Sequence, residues 1–243
     1  MKRYFFLDFD GVLCDSIPEC FVSSSRAYYE LHLGETIRSV SLRDKALFYS
    51  LRPFIRTGED FVLIQDIMRR KAAIGSQEDF DREIELAGEE TMTRYRRLIY
   101  QVREDFLKND KEFWLDLNPL FPGMAKLLAR ELNNKNVFIL STKKPPFIRE
   151  ILMKSGIDWS IERILDPMEK TKKEVMESLM DGNDEAAFVD DQLDTLLIAA
   201  GGKNIRGRLA TWGYVKEPWL KQKTIPLLRM DQLGGLIREF FGE

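Results

Sequence analysis

Short apolar runs recur along the chain, and three of them end on acids or a hydroxyl. Tyr4 to Leu7 leads into Asp8-Phe9-Asp10-Gly11, Asn136-Val137-Phe138-Ile139-Leu140 into Ser141-Thr142-Lys143-Lys144, and Ala186-Ala187-Phe188-Val189 into Asp190-Asp191. Apolar runs of this length bounded by polar residues predict buried strands. Further strands are expected at Glu162 to Leu165, Ile205 to Thr211 and Thr224 to Leu228. Between these runs lie stretches that predict helices: Met124 to about Leu132, Pro145-Pro146 to Gly156, Thr171 onward, Thr195 to Ala200, and Asp231 to Phe241. The Thr171 start is marked by Glu174 three residues on, the spacing of a capping box.

From residue 16 to residue 118 the pattern is helical throughout, with no convincing strand. Phe21, Val22, Ala27, Tyr28 and Leu31 follow Pro18 at mixed three- and four-residue spacings until Gly34. A second helix is expected from Glu59 to about Ala73, with Phe61, Ile64, Met68 and Ala72 on one face and Arg69, Arg70 and Lys71 near its end, where cations suit the helix dipole. A third runs from about Gln77 to Lys108 on Phe80, Ile84, Ala87, Thr91, Tyr95, Leu98, Val102 and Phe106. The loop Asn118-Pro119-Leu120-Phe121-Pro122-Gly123 marks the return to alternating strands and helices. That alternation argues for an α/β fold with a doubly wound parallel sheet, built from residues 1–15 and 119–243, into which a helical domain of residues 16–118 is inserted.

Composition narrows the partners. The 243 residues are 44% apolar, ample for a core, and 37 basic residues are dispersed among 40 acids for a net charge of -3. Nucleic acid and anionic membrane are therefore not expected as partners. Lys2 and Arg3 precede an apolar run, but Asp8 and Asp10 interrupt it well short of signal-peptide or membrane length, so a cytoplasmic protein is expected. Cys14 and Cys20 are the only cysteines and read as small packing residues, too few for a disulfide framework or a zinc site. His32, the only histidine, sits between Leu31 and Leu33 and reads as structural, which leaves a histidine-based triad without support. The sequence carries no signature of oligomeric state.

The chemistry is expected at the strand ends. Asp8 and Asp10 lie one strand period apart and would point the same way if the strand continued, and Gly11 lets the backbone turn beside them. Buried acids at such ends need compensation, and the carboxyl ends of strands are where open α/β sheets bind ligands. A solvated turn is the plainer reading of D-x-D alone. Ser141, between a strand end and a helix start, is placed either to cap the helix or to hydrogen-bond an anion.

The stretch DFDGVLCDS at Asp8 to Ser16 resembles the first motif of the haloacid dehalogenase superfamily in the form its phosphatases carry; the dehalogenase members lack the second acid, so Asp10 points away from dehalogenation. Ser141 matches the family's second motif. The third needs one lysine at a helix start, and two alignments compete: K-x-x-x-E-apolar selects Lys170 and is weakly preferred, while K-x-E-apolar selects Lys172. Asp190-Asp191 resembles the fourth motif, with Asp191 in the commoner position and Asp194 matching a trailing acid only if counting starts at Asp190. Trp212-Gly213-Tyr214 resembles a stretch of phosphoglycolate-phosphatase-like members, with aromatics read as packing.

The resemblance implies a Rossmann-like core with a helical cap and a magnesium-dependent phosphatase acting on a small phosphorylated metabolite. Asp8 would be the nucleophile that becomes an aspartyl phosphate, and Asp10 the general acid and base, with its backbone carbonyl a further metal ligand. Ser141 and the motif lysine would hold phosphoryl oxygens. Asp8, Asp10, Asp190 and Asp191 would surround the magnesium, a hard cation suited to oxygen ligands. The insert would close to exclude water and open for release. Arg52, Arg56 and Lys71 are candidates to select an anionic substrate, each with an ordinary surface charge as the plainer reading. Two alternatives stand beside hydrolysis: a phosphosugar mutase on the same fold, and a non-catalytic phosphate-binding or regulatory protein.

Overall fold

The structure, a computed structural model, describes residues 1–35, 42–202 and 204–242. The chain forms two compact units, one of Met1–Asp15 with Pro119–Glu243 and the other of Ser16–Asn118. In chain order, strand β1 (Arg3–Leu7) opens the first unit. The second unit carries helix α1 (Ile17–Ser25), a π-helical turn over Arg26–His32, and helices α2 (Leu42–Leu51), α3 (Gly58–Arg70), α4 (Gln77–Asn109) and α5 (Lys111–Asp116). The chain then returns to the first unit with α6 (Met124–Arg130), β2 (Val137–Leu140), α7 (Pro145–Lys154), β3 (Ile164–Leu165), α8 (Lys172–Leu179), β4 (Glu185–Asp190), α9 (Leu193–Ala200), β5 (Ile205–Ala210), β6 (Leu227–Leu228) and α10 (Leu233–Phe241).

The strands form one sheet in the order β3-β2-β1-β4-β5-β6, every neighbouring pair parallel. This is the doubly wound sheet expected from the alternation. Its order reverses direction between β1 and β4, the place where such sheets leave a crevice outside their carboxyl ends. Phe5, Phe6, Leu7, Phe188 and Val189 are fully buried in the two central strands, as strands covered on both faces require. Each such side chain contributes about 1.5–3 kcal/mol by leaving water. Four strands are shorter than their sequence suggests, β2 and β5 by one residue each and β3 and β6 by more, and Glu162 lies in a 3₁₀ turn (Ile161–Arg163) ahead of β3.

The helical unit departs from its expected elements at several points. The first helix does not run evenly to Gly34: it widens to a π-helix at Arg26, where Tyr28 stacks on His32 and both meet the edge of Tyr95. Gly88 stands in the middle of α4 at φ 76° and ψ 162°, so the expected continuous helix is two segments joined at a kink. Only Phe80 is buried before it, while Tyr95, Leu98, Ile99, Val102 and Phe106 are buried after it. Helix α2 escapes the apolar pattern because it buries only Phe48 and Leu51 among its described residues.

A charged group lies at the heart of this unit. Glu19 is fully buried, as is most of Arg103. The Arg103 guanidinium donates from Nε to Glu19 Oε1 at 2.8 Å and from Nη2 to Oε2 at 2.9 Å, and Ser23 and Trp114 donate to Oε1 at 2.6 and 3.1 Å. Cys20 packs beside this pair, and both cysteines are buried.

Candidate active site

The register of the sheet brings the acids together. Leu7 pairs with Val189 on one side and Ile139 on the other, so the next residues along the three strands are Asp8, Asp190 and Leu140, with Ser141 one step beyond. Asp8, Asp190 and Asp191 are buried, and each places a carboxylate oxygen within 4.8 Å of the others. The strand ends after Asp190, and the bend that follows lets the adjacent acids serve one cluster, which an extended strand would forbid. Asp194, in the first turn of α9, is not part of this group.

Of the two candidate lysines for the third motif, Lys172 is the one whose ammonium lies at the acids. Its ammonium donates to Asp8 Oδ1 and to Asp190 Oδ2, both at 2.8 Å. Lys170, the candidate preferred from the sequence, is exposed near Glu174, because it precedes the Thr171 cap and does not share the face of α8 that meets the strand ends. The cap itself is a reciprocal pair, Glu174 N–H donating to Thr171 Oγ1 at 3.2 Å and Thr171 N–H donating to Glu174 Oε2 at 2.7 Å. It sets the first turn from which Lys172 reaches inward.

Sequence reasoning gave no role to Lys143, which is buried with its ammonium 3.3 Å from Asp10 Oδ1. Asp10 thus turns toward a lysine, and its side chain is absent from the three-acid cluster among the described residues. Ser141 is buried, its Oγ accepting from the Lys143 N–H at 3.3 Å. The signal for Lys143 was its place two residues after the motif serine, inside the same strand-to-helix turn.

Burial pushes the Asp8 carboxyl up to about 7; Lys172 opposes that shift while Asp190 and Asp191 reinforce it. Burial also works against the Lys172 charge, but Asp190 and Asp8 outweigh it and hold the proton more firmly than usual. Four carboxylates (Asp8, Asp10, Asp190, Asp191) face two ammonium groups (Lys143, Lys172), a formal excess of two negative charges. Oxygen donors gathered with that excess fit a hard divalent cation such as magnesium.

Two aromatics read as packing prove to bind the site. The Tyr214 N–H donates to Asp191 Oδ2 and its hydroxyl to Asp15 Oδ1, both at 2.7 Å, while Trp212 Nε1 donates to the Val12 carbonyl at 3.0 Å. In the helical unit, Arg52 is buried and stacked over Phe61, unlike the surface charge expected of it. Arg56 donates to Gln77 and to nearby carbonyls, and Lys71 is the exposed left-handed residue that ends α3.

Comparison with known proteins bears on this site. Residues 2–202 match the family model described as haloacid dehalogenase-like hydrolase. Comparison with curated proteins gave no match. Among solved structures the chain is similar to a predicted phosphatase from Clostridium acetobutylicum, at 19% identity and TM-score 0.56 over 98% of this chain and 99% of that one. It is also similar to a predicted phosphoglycolate phosphatase from Haemophilus somnus, at 14% identity and TM-score 0.60 over 97% and 98%. A third is Protein Tyrosine Kinase A of Mycobacterium tuberculosis, at 19% identity and TM-score 0.53 over 100% and 99%. At these identities the likeness is one of fold.

Proposed function

The chain belongs to the haloacid dehalogenase-like hydrolases, and from that premise we propose that it is a phosphatase that hydrolyses a small phosphorylated metabolite through an aspartyl phosphate formed on Asp8. The observation that carries this reading is the convergence of a buried carboxylate, Asp8, with a lysine bridging it to Asp190 at 2.8 Å on each side. A nucleophile held by a fixed cation beside further acids is suited to an electrophile that is itself an anion.

In this reading an Asp8 oxygen attacks phosphorus, the bond from phosphorus to the ester oxygen breaks, and Asp10 delivers a proton to that leaving oxygen. Asp10 then takes a proton from water as the water oxygen attacks the same phosphorus, which frees phosphate and restores Asp8. Lys143 fixes the Asp10 carboxylate by its ion pair. The Ser141 hydroxyl and the Lys172 ammonium hold the phosphoryl oxygens, where charge accumulates during transfer. A magnesium ion held by Asp8, Asp190, Asp191 and the Asp10 carbonyl would supply charge neutralisation and alignment of the phosphate. The helical insert is, in this reading, the cap that selects among small phosphates.

The mutase alternative uses the same residues and differs in the acceptor, a sugar hydroxyl in place of water. Non-catalytic binding is set aside by membership of a hydrolase family. The test is hydrolysis of a generic aryl phosphate by the full chain with magnesium and after exhaustive chelation. Phosphate release that requires the metal is the expected result, and full activity after chelation contradicts the reading. Calcium should support turnover poorly, because its larger and looser coordination misplaces the nucleophile.

A further inference from the structure

The segment after β5 meets the acidic cluster more closely than packing alone requires. A Cβ on Gly213 would lie 2.4 Å from Asp191 Cβ and 2.5 Å from the Gly11 carbonyl oxygen. A Cβ on Gly11, which sits at φ +93°, would lie 2.1 Å from Asp191 Oδ2 and 2.9 Å from Tyr214 Cδ2. Asp191 therefore occupies a slot whose walls are two glycines and whose end is the Tyr214 amide, donating to Oδ2 at 2.7 Å. The far end of the same tyrosine is anchored, its hydroxyl donating to Asp15 Oδ1 at 2.7 Å. Trp212 fastens the loop between them through Val12.

We propose that Tyr214 is a positioning residue for the divalent cation: pinned to Asp15, it presents its amide to one oxygen of Asp191 and so sets the orientation in which that carboxylate serves the cluster. The inference rests on the metal-binding part of the function proposed above. An amide bonded to one carboxylate oxygen fixes the rotation of the group, and a ligand fixed before the ion arrives loses less freedom on binding it. Asp15 ends the loop that begins with Asp8, so one side chain ties the nucleophile's loop to a ligand just beyond the end of β4. Tyr214 acts through Asp191 and Asp15 and touches no reacting atom.

The experiment is magnesium binding to the full-length protein by calorimetry, with the melting temperature of the metal-free protein as control for folding. Tyr214→Phe keeps the amide and the ring but loses the anchoring hydroxyl; Asp15→Ala loses the acceptor, and Asp15→Asn retains one. Magnesium Kd is expected to rise about tenfold in Tyr214→Phe and in Asp15→Ala, the low end of what outer-shell partners of a metal site contribute. The double variant Tyr214→Phe with Asp15→Ala should be no weaker than either single change, and Asp15→Asn should stay within about twofold of the parent because it keeps the same bond. A Tyr214→Phe Kd within twofold of the parent overturns the inference whatever happens to the melting temperature, while parent binding shows that the cation site itself stands. A parent protein that binds no magnesium overturns both.

Discussion

Lys170 and Lys172 stand two positions apart, and the two differ in what surrounds them. Lys172 is the first residue of α8 and is held between two buried carboxylates, whereas Lys170 is solvated ahead of the cap. Removing a fixed donor to developing charge costs about 10²–10³ in kcat. Lys172→Met should fall by that order in steady-state turnover, and Lys170→Met should stay within about twofold. A large loss in Lys170→Met would reverse the assignment. Asp8 gives the pH dependence. Its carboxyl, raised from 3.8 to about 7 chiefly by burial, binds a proton more tightly in the folded than in the unfolded chain. In the metal-free protein its contribution to stability is complete below 3.8 and is lost as pH rises through about 7. Metal must displace that proton, so magnesium affinity should strengthen as pH rises from 6 to 8, with proton release visible in titrations run in buffers of different ionisation enthalpy. A pH-independent Kd over that range would contradict it.

At the scale of elements, the helical unit is built around a charge pair that cannot be halved. Glu19 and Arg103 are both buried and satisfy each other through two hydrogen bonds, with Ser23 and Trp114 completing the carboxylate. Arg103→Met leaves Glu19 buried without its counter-ion and should cost about 3–5 kcal/mol in denaturant unfolding. An effect below about 1 kcal/mol would show that the pair is solvated in solution. The pair also shows why part of this unit was hidden in the sequence. Neither Glu19 nor Arg103 stands out in the helical pattern, since nothing local says that residues so far apart meet. Gly88 was hidden by the opposite fault: the apolar spacing around it continues unbroken, and only its positive φ reveals the kink. The strand ends were legible because each joins a buried run to a chemical residue within a few positions, as at Asp8, Ser141 and Asp190. The lysines were less so, because Lys143 and Lys172 reach the site by loop and helix phase. Tyr214 contributes a main-chain amide, a group every non-proline residue carries.

For the whole molecule, the sheet order and the interrupted chain matter most. A strand order that reverses direction between β1 and β4 brings Asp8 and Asp190 to adjacent strand ends, where Lys172 bridges them, although the chain leaves and re-enters the sheet across the insert. No helix among the described residues is long and apolar enough to cross a membrane. Hydrolase and mutase separate on the fate of the phosphoryl group. For a hydrolase, free phosphate should match substrate lost from a sugar phosphate, with no isomeric product and no need of a bisphosphorylated activator. Formation of an isomer faster than free phosphate would make the enzyme a mutase.

The central claim is that Asp8 attacks phosphorus, and the most direct measurement is phosphate release from an aryl phosphate by Asp8→Asn beside the parent protein, both saturated with magnesium and both shown to be folded. A neutral amide in place of the carboxylate cannot form the aspartyl phosphate, so release by the variant should be indistinguishable from the uncatalysed rate. Substantial turnover by Asp8→Asn would contradict the account.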